Sequence, residues 1–260
     1  MARDRSPASD NSSYLSPARP RVLAHRGLAV EAPENSMLAF AKAVAAGARY
    51  VETDVHSSLD GIAVVAHDSS LQRVAGRDLT IEQLTMAELR RIDLGYGQGF
   101  CSLSEAIDAF PETRFNIDVK SSGAVSPTVR AIRDLTATDR VLVTSFDEKR
   151  RAATAAQLPG VASSASARRF MVALLSAKTG ATPALRRALS GLVAIQVPEK
   201  ALGLRVTTQR VIASVHALGL EMHVWTINEP QRMRYLLDLG VEGIVTDRAD
   251  LALEVVDSRT

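Results

Sequence analysis

The sequence predicts an α/β fold, a closed (β/α)8 barrel of the TIM type, on three observations. Short β-branched runs alternate with helix-period segments from Arg21 onward, and these runs number eight. The alternation fills about 240 residues, which favours a closed barrel over an open doubly wound sheet. The 260-residue chain is 46% hydrophobic and 23% charged, the composition of a soluble globular protein.

Residues 1–20, MARDRSPASDNSSYLSPARP, are polar and rich in Ser, Pro, Asp and Arg. They lack the apolar core of a signal peptide and are expected to form a disordered leader ahead of a barrel over 21–260. RVLAHRG is strand one. Glu34–Gly47 follows as a helix, with Leu38, Ala41, Val44 and Ala45 near helical spacing. Tyr50–Ser57 is strand two and Arg114–Ser121 strand three. Arg140–Phe146, Gly160–Ser166 and Leu192–Val197 come next, then Glu221–Asn228 and Gly243–Asp247. Gly219 and Gly240 stand where a helix C-terminus favours glycine, just before the last two strands. Between strands two and three there are too many residues for one crossover helix, so a small insertion over about 69–112 is expected on that connection.

Composition also excludes some functions. With 31 basic and 29 acidic side chains, the net charge of +2 gives no broad footprint for nucleic acid, and none is expected as a partner. Cys101 stands alone, which rules out an intramolecular disulfide and a multi-cysteine metal site and suits a reducing compartment. The apolar cluster Phe170–Ala177 is far shorter than the roughly 20 residues of a membrane span. No stable membrane insertion is expected, and the default location is the cytoplasm.

Barrel active sites lie at the C-terminal ends of the strands, where this chain concentrates polar residues. His25 and Arg26 end strand one, and Glu52 and Asp54 lie towards the end of strand two. Asp118 and Lys120 end strand three, and Trp225 to Asn228 end strand seven. Period-two alternation puts Glu52 with Asp54, and Asp118 with Lys120, on one face of their strands. Three carboxylates converging there repel one another, which a hard divalent cation, Mg²⁺ or Ca²⁺, would resolve. The competing reading pairs Glu52 and Asp54 with Arg or Lys as barrel-end ion pairs. His25 and His67, both at strand ends, are suited to acid–base catalysis. Arg26 and Lys120 beside them suggest an anionic substrate, most simply a phosphate. His56 shares the alternation of Glu52 and Asp54 and reads as a bystander, His216 as structural or exposed, and His223 as core.

The stretch from His25 to Gly76 resembles the signature region of the glycerophosphodiester phosphodiesterase family. It carries HRG, PEN-S before a helix, E-x-D on strand two, a DG turn, and HD followed by L-x-R. IDVK, VWTIN and GVEGIVTD extend the resemblance over roughly Arg21 to Val255. The resemblance implies a barrel with a small insertion after strand two. It also implies hydrolysis of a small-molecule glycerophosphodiester, such as glycerophosphocholine or glycerophosphoethanolamine, to glycerol 3-phosphate and an alcohol. His25 and His67 would be the acid–base pair, Glu52, Asp54 and Asp118 the cation ligands, and Arg26, Lys120 and Trp225 substrate-binding residues. Glu34 and Asn35 of the PEN motif would start the helix or support the site from behind. Asp118 is one methylene shorter than the Glu usual in the family, and the insertion is abbreviated. A lysophospholipase D-like enzyme and a catalytically silent phosphate-binding barrel are the competing functions.

Overall fold

The computed structural model describes residues 13–17 and 19–259. Its strands are β1 (Arg21–His25), β2 (Tyr50–Ser57), β3 (Ala63–Val65), β4 (Arg114–Val119), β5 (Val141–Thr144) and β6 (Ala162–Ser163). β7 (Ala194–Pro198), β8 (Lys200–Ala201), β9 (Leu204–Arg205), β10 (Glu221–Trp225) and β11 (Gly243–Thr246) complete the set. The eight expected strands all form. They pair in parallel in the order β6-β5-β4-β2-β1-β11-β10-β7, and a parallel bridge between Ser164 and Ala194 brings the two ends together. The result is a nearly closed barrel.

Period two explains which side chains go where. On β1, β2 and β4, Val22, Ala24, Val51, Val55, Phe115 and Ile117 point outward into the main core between strands and helices. Leu23, Tyr50, Leu142, Ala162 and Val245 form a separate cluster, the barrel's inner filling. Gly243 permits that filling, because a Cβ there would stand 2.5 Å from the His223 ring.

The outer layer begins with α1 (Met37–Ala45), and α2 (Gln72–Ala75) and α3 (Met86–Leu89) lie in the insertion. Then come α4 (Leu103–Ala109), α5 (Val125–Asp134), α6 (Glu148–Ala156), α7 (Ala167–Thr179) and α8 (Thr182–Leu189). α9 (Gln209–His216), α10 (Pro230–Asp238) and α11 (Ala249–Asp257) finish the ring. Gly219 and Gly240 do take the left-handed conformation, with φ of 74° and 95°.

Three expectations need correction. The first helix starts at Met37, not Glu34, because Asn35 is left-handed (φ 54°) and Ser36 caps the helix by accepting from the Ala39 amide. It buries Ala39, Phe40 and Ala43, so the face through Val44 is turned outward. α4 packs Leu103, Ala106 and Ile107 into the main core and belongs to the barrel. The insertion's own core ends at Phe100 and gathers Val64, Leu71, Ile81, Met86, Leu89 and Ile92 around β3, which runs antiparallel to β2.

The leader is the third. Its residues 1–12 and 18 lie outside the described residues, but Ser13–Leu15 form a 3-10 turn that inserts Tyr14, 1% exposed, into the inner cluster. The Arg21 guanidinium donates to the carbonyls of Pro17 and Leu15, and the Tyr50 hydroxyl donates to that of Tyr14. Those bonds fasten the segment across the N-terminal end of the barrel, opposite the site.

Candidate active site

Strand register assembles the site. His25 pairs with Glu52 across β1 and β2, and Asp54 pairs with Asp118 across β2 and β4. All four face inward by the alternation above and line one cavity of about 370 Å³ with Arg26, His67, Asn116, Lys120, Phe146 and Trp225. Gly27 lets the chain turn out of β1, since a Cβ on it would fall 2.7 Å from the Ala39 backbone.

Each catalytic histidine candidate is held by an acid. His25 Nδ1 lies 2.6 Å from Asp247 Oδ1, and His67 Nδ1 lies 2.6 Å from Asp68 Oδ1. A carboxylate at Nδ1 places the proton there and leaves Nε2 as the working nitrogen. Burial opposes charge on His25, but the Asp247 hydrogen bond and the nearby Glu52 outweigh it and raise its pKa. Asn228 donates to Asp247 Oδ2 at 2.8 Å and fixes that acid in turn. The His56 ring contacts the His67 carbonyl through Nε2 at 3.1 Å, so this buried side chain holds the main chain of His67. His223 is fully buried, and His216 contacts Glu242 at 2.6 Å on the helix layer, both as expected.

The carboxylates show what they lack. Glu52, Asp54 and Asp118 are 8%, 2% and 5% exposed. Burial first, and the Asp54 charge second, push Glu52 up to about 8. Burial also raises Asp118. Lys120 Nζ lies 2.8 Å from both Asp54 Oδ1 and Asp118 Oδ2, and Arg26 Nε lies 3.4 Å from Asp54 Oδ2. Thus the two cations expected on substrate phosphate meet carboxylates, the ion-pair alternative, because unpaired buried anions are costly.

No three acidic, His or Cys side chains among the described residues form a ready cation cage. The donor chemistry nonetheless fits a cation. Asp118 Oδ1 and Asn116 Oδ1 are buried without a hydrogen-bond partner among the described residues. Glu52 has His25 Nε2, at 3.9 Å, as its ion-pair contact.

Sequence reasoning left several of these residues without a role. Asp247 directly follows the last strand and was open to the same strand-end rule. Asn116 sits two residues before Asp118, on the same face. Asp68 is adjacent to His67. Phe146, whose ring meets Trp225 edge-on at 6.0 Å, carried no sequence signal of its own.

The profile of the glycerophosphoryl diester phosphodiesterase family matches residues 25–251. The chain belongs to this family. A probable glycerophosphodiester phosphodiesterase 2 of Mycobacterium tuberculosis is 38% identical over 240 residues, covering 92% of this chain and 91% of that one. A lysophospholipase D of Rattus norvegicus is 26% identical, over 87% and 83% of the two chains. Among solved structures, a phosphodiesterase of Oleispira antarctica in complex with the product sn-glycerol-3-phosphate superposes with a TM-score of 0.77 at 23% identity, covering 92% of this chain and 97% of that one. A putative member from Silicibacter pomeroyi gives 0.79 at 23% identity, over 95% and 96%. Both share the barrel.

Proposed function

We propose that this family member hydrolyses glycerophosphodiesters to glycerol 3-phosphate and an alcohol, with His25 and His67 as the acid–base pair. The observation that carries the reading is the two histidines. Each is clamped at Nδ1 by its own carboxylate, and both line one cavity with Arg26 and Lys120. One histidine takes the proton of the glycerol 2-hydroxyl as its oxygen attacks phosphorus. The other gives a proton to the alcohol oxygen as the P–O bond to it breaks. Water then opens the cyclic phosphate with the proton transfers reversed. Lys120 and Arg26 hold the phosphate oxygens by charge, and Trp225 and Phe146, whose ring centroid lies 5.9 Å from Lys120 Nζ, add an apolar wall to the same cavity.

Glu52, Asp54 and Asp118 would hold a Mg²⁺ or Ca²⁺ ion, which would supply positive charge beside the phosphoryl oxygens. Asp118, shorter than Glu, would reach the ion directly or through water. The lone, buried Cys101 suits the cytoplasm, where such an enzyme meets soluble diesters.

The test is release of glycerol 3-phosphate from glycerophosphocholine, with and without chelator, by wild type, His25→Ala and His67→Ala. Either variant is expected to lose at least about 10²-fold, the usual share of an acid–base group. Unchanged turnover in both would overturn the histidine assignment, and chelator-resistant turnover the cation. Faster turnover of lysophosphatidylcholine than of glycerophosphocholine would favour the lysophospholipase D reading.

A further inference from the structure

The net charge of +2 conceals a sharp asymmetry. From Lys149 to Leu220 the chain carries eleven Lys and Arg against one acid, Glu199, while the rest is net acidic. This stretch is also one sector of the barrel wall, since α7 packs against α8 and α9. Arg169 ties α7 to the end of α8 by donating to the Ala188 carbonyl at 2.7 Å, and the Arg210 guanidinium of α9 reaches Gly180 at the end of α7. Glu199 accepts from Arg232. Arg168, Arg186, Arg187, Lys200, Arg205 and Arg210 are exposed, with no ion-pair partner among the described residues.

Apolar side chains stand among these cations. The β8–β9 hairpin, Lys200–Arg205, lifts Leu202 out of the surface at 82% exposure, beside Leu204 at 38%, with Lys200 and Arg205 at its ends. On α7, Val172 and Leu175 are 43% and 53% exposed, between Arg168 and Lys178. Leucine at a hairpin tip gains nothing from water, and packing leaves it no partner here. Both elements border the catalytic mouth. Met171 of α7 and Pro198, two residues before the hairpin, line the cavity itself.

We propose that this sector docks the enzyme, mouth first, on an anionic lipid surface. Leu202 and Leu204 enter the acyl boundary while the flanking Lys and Arg meet lipid phosphates, the arrangement interfacial segments use. A nucleic acid would gain less, because the exposed apolar residues of α7 and the hairpin, Val172, Leu175, Leu202 and Leu204, are aliphatic and offer no stacking platform. Attachment is peripheral, since no helix among the described residues is long and apolar enough to cross a membrane.

The full-length protein is sedimented with vesicles of phosphatidylcholine alone and of equimolar phosphatidylcholine and phosphatidylglycerol. Wild type is expected to pellet with the anionic vesicles at low salt, to release as salt rises, and to pellet weakly with the neutral ones. Leu202→Asp and the double variant Lys200→Glu/Arg205→Glu each lower partitioning at least about tenfold. Their turnover of glycerophosphocholine stays at the wild-type level, which shows an intact barrel. Should the hairpin variants fail to fold, Arg186→Glu/Arg187→Glu on α8 is expected to show the same loss. Wild type left in the supernatant with anionic vesicles overturns the docking, as does Leu202→Asp pelleting like wild type. Single-stranded DNA held more tightly than the vesicles, with Leu202→Asp binding unchanged, overturns it in favour of nucleic acid. A wild type that pellets yet releases no glycerol 3-phosphate counts against the proposed function and leaves the docking standing.

Discussion

At Asp247 one carboxylate orients the His25 ring, raises its pKa and is itself pinned by Asn228. Asp247→Asn keeps the shape but removes the charge and turns one of the two acceptor oxygens, shared between His25 and Asn228, into a donor, so the tautomer is no longer selected. It is expected to lower kcat about 10²-fold with KM nearly unchanged and an unaltered melting temperature, checked by steady-state kinetics and calorimetry. The carboxylates make a second prediction that needs no turnover. Because burial and the Asp54 charge hold Glu52 up and Asp118 keeps one oxygen without a hydrogen bond among the described residues, millimolar Mg²⁺ or Ca²⁺ is expected to raise the melting temperature by a few degrees. Glu52→Gln, with a weaker site, is expected to show less of that rise. The strand-end acids and histidines were legible as a group, because period two and the C-terminal-end rule are local. The Asp247–His25 contact was not, because it joins residues 222 positions apart.

The insertion acts on the site through one element, α2. Arg73 donates to Asp68, which holds His67, and to Glu34, which accepts from Arg26 at 3.0 Å. Its side chain is 51% exposed, and such ion pairs contribute about 0–1 kcal/mol to stability. Arg73→Ala is therefore expected to leave the melting temperature within a few degrees of wild type. Turnover is expected to fall several-fold, because Asp68 and Glu34 both lose their tether; a large loss of stability with normal turnover would contradict this. Sequence spacing located the insertion but not its limits. α4 reads like its neighbours in composition, and only burial of Leu103, Ala106 and Ile107 in the main core assigns it to the barrel.

The whole barrel depends on a buried polar cluster at the end away from the site. Arg21 grips Glu221 through two bonds of 2.7 and 2.8 Å, and His223 adds a contact at 3.1 Å. Against the burial that opposes its charge, these partners lower Glu221 to about 2. A depressed carboxylate pKa stabilises the fold fully above its unfolded value of about 4.3. That contribution, about 3 kcal/mol, is lost as pH falls through about 2. Urea titrations between those limits are expected to show the loss, and Glu221→Gln to flatten it. Tyr14 closes the same end. Tyr14→Ala is expected to cost about 3 kcal/mol or more, whereas Tyr14→Phe is nearly neutral, because its hydroxyl has no hydrogen-bond partner among the described residues.

The sequence by itself determined the eight-stranded barrel and placed His25, Glu52, Asp54, His67, Asp118 and Lys120 at its mouth. Both follow from near-neighbour rules, alternation along strands and capping between helices, that act within a few residues. Only the tertiary structure decided which acid holds which histidine, that Lys120 stands between Asp54 and Asp118, and that part of the polar N-terminus is a buried plug. It also packed α7, with its cations, against α8 and α9 in one sector of the barrel wall, and set Met171 of α7 and Pro198 ahead of the hairpin at the catalytic mouth. These are contacts between residues far apart in the chain, brought together by strand register and barrel closure, so no local pattern encodes them.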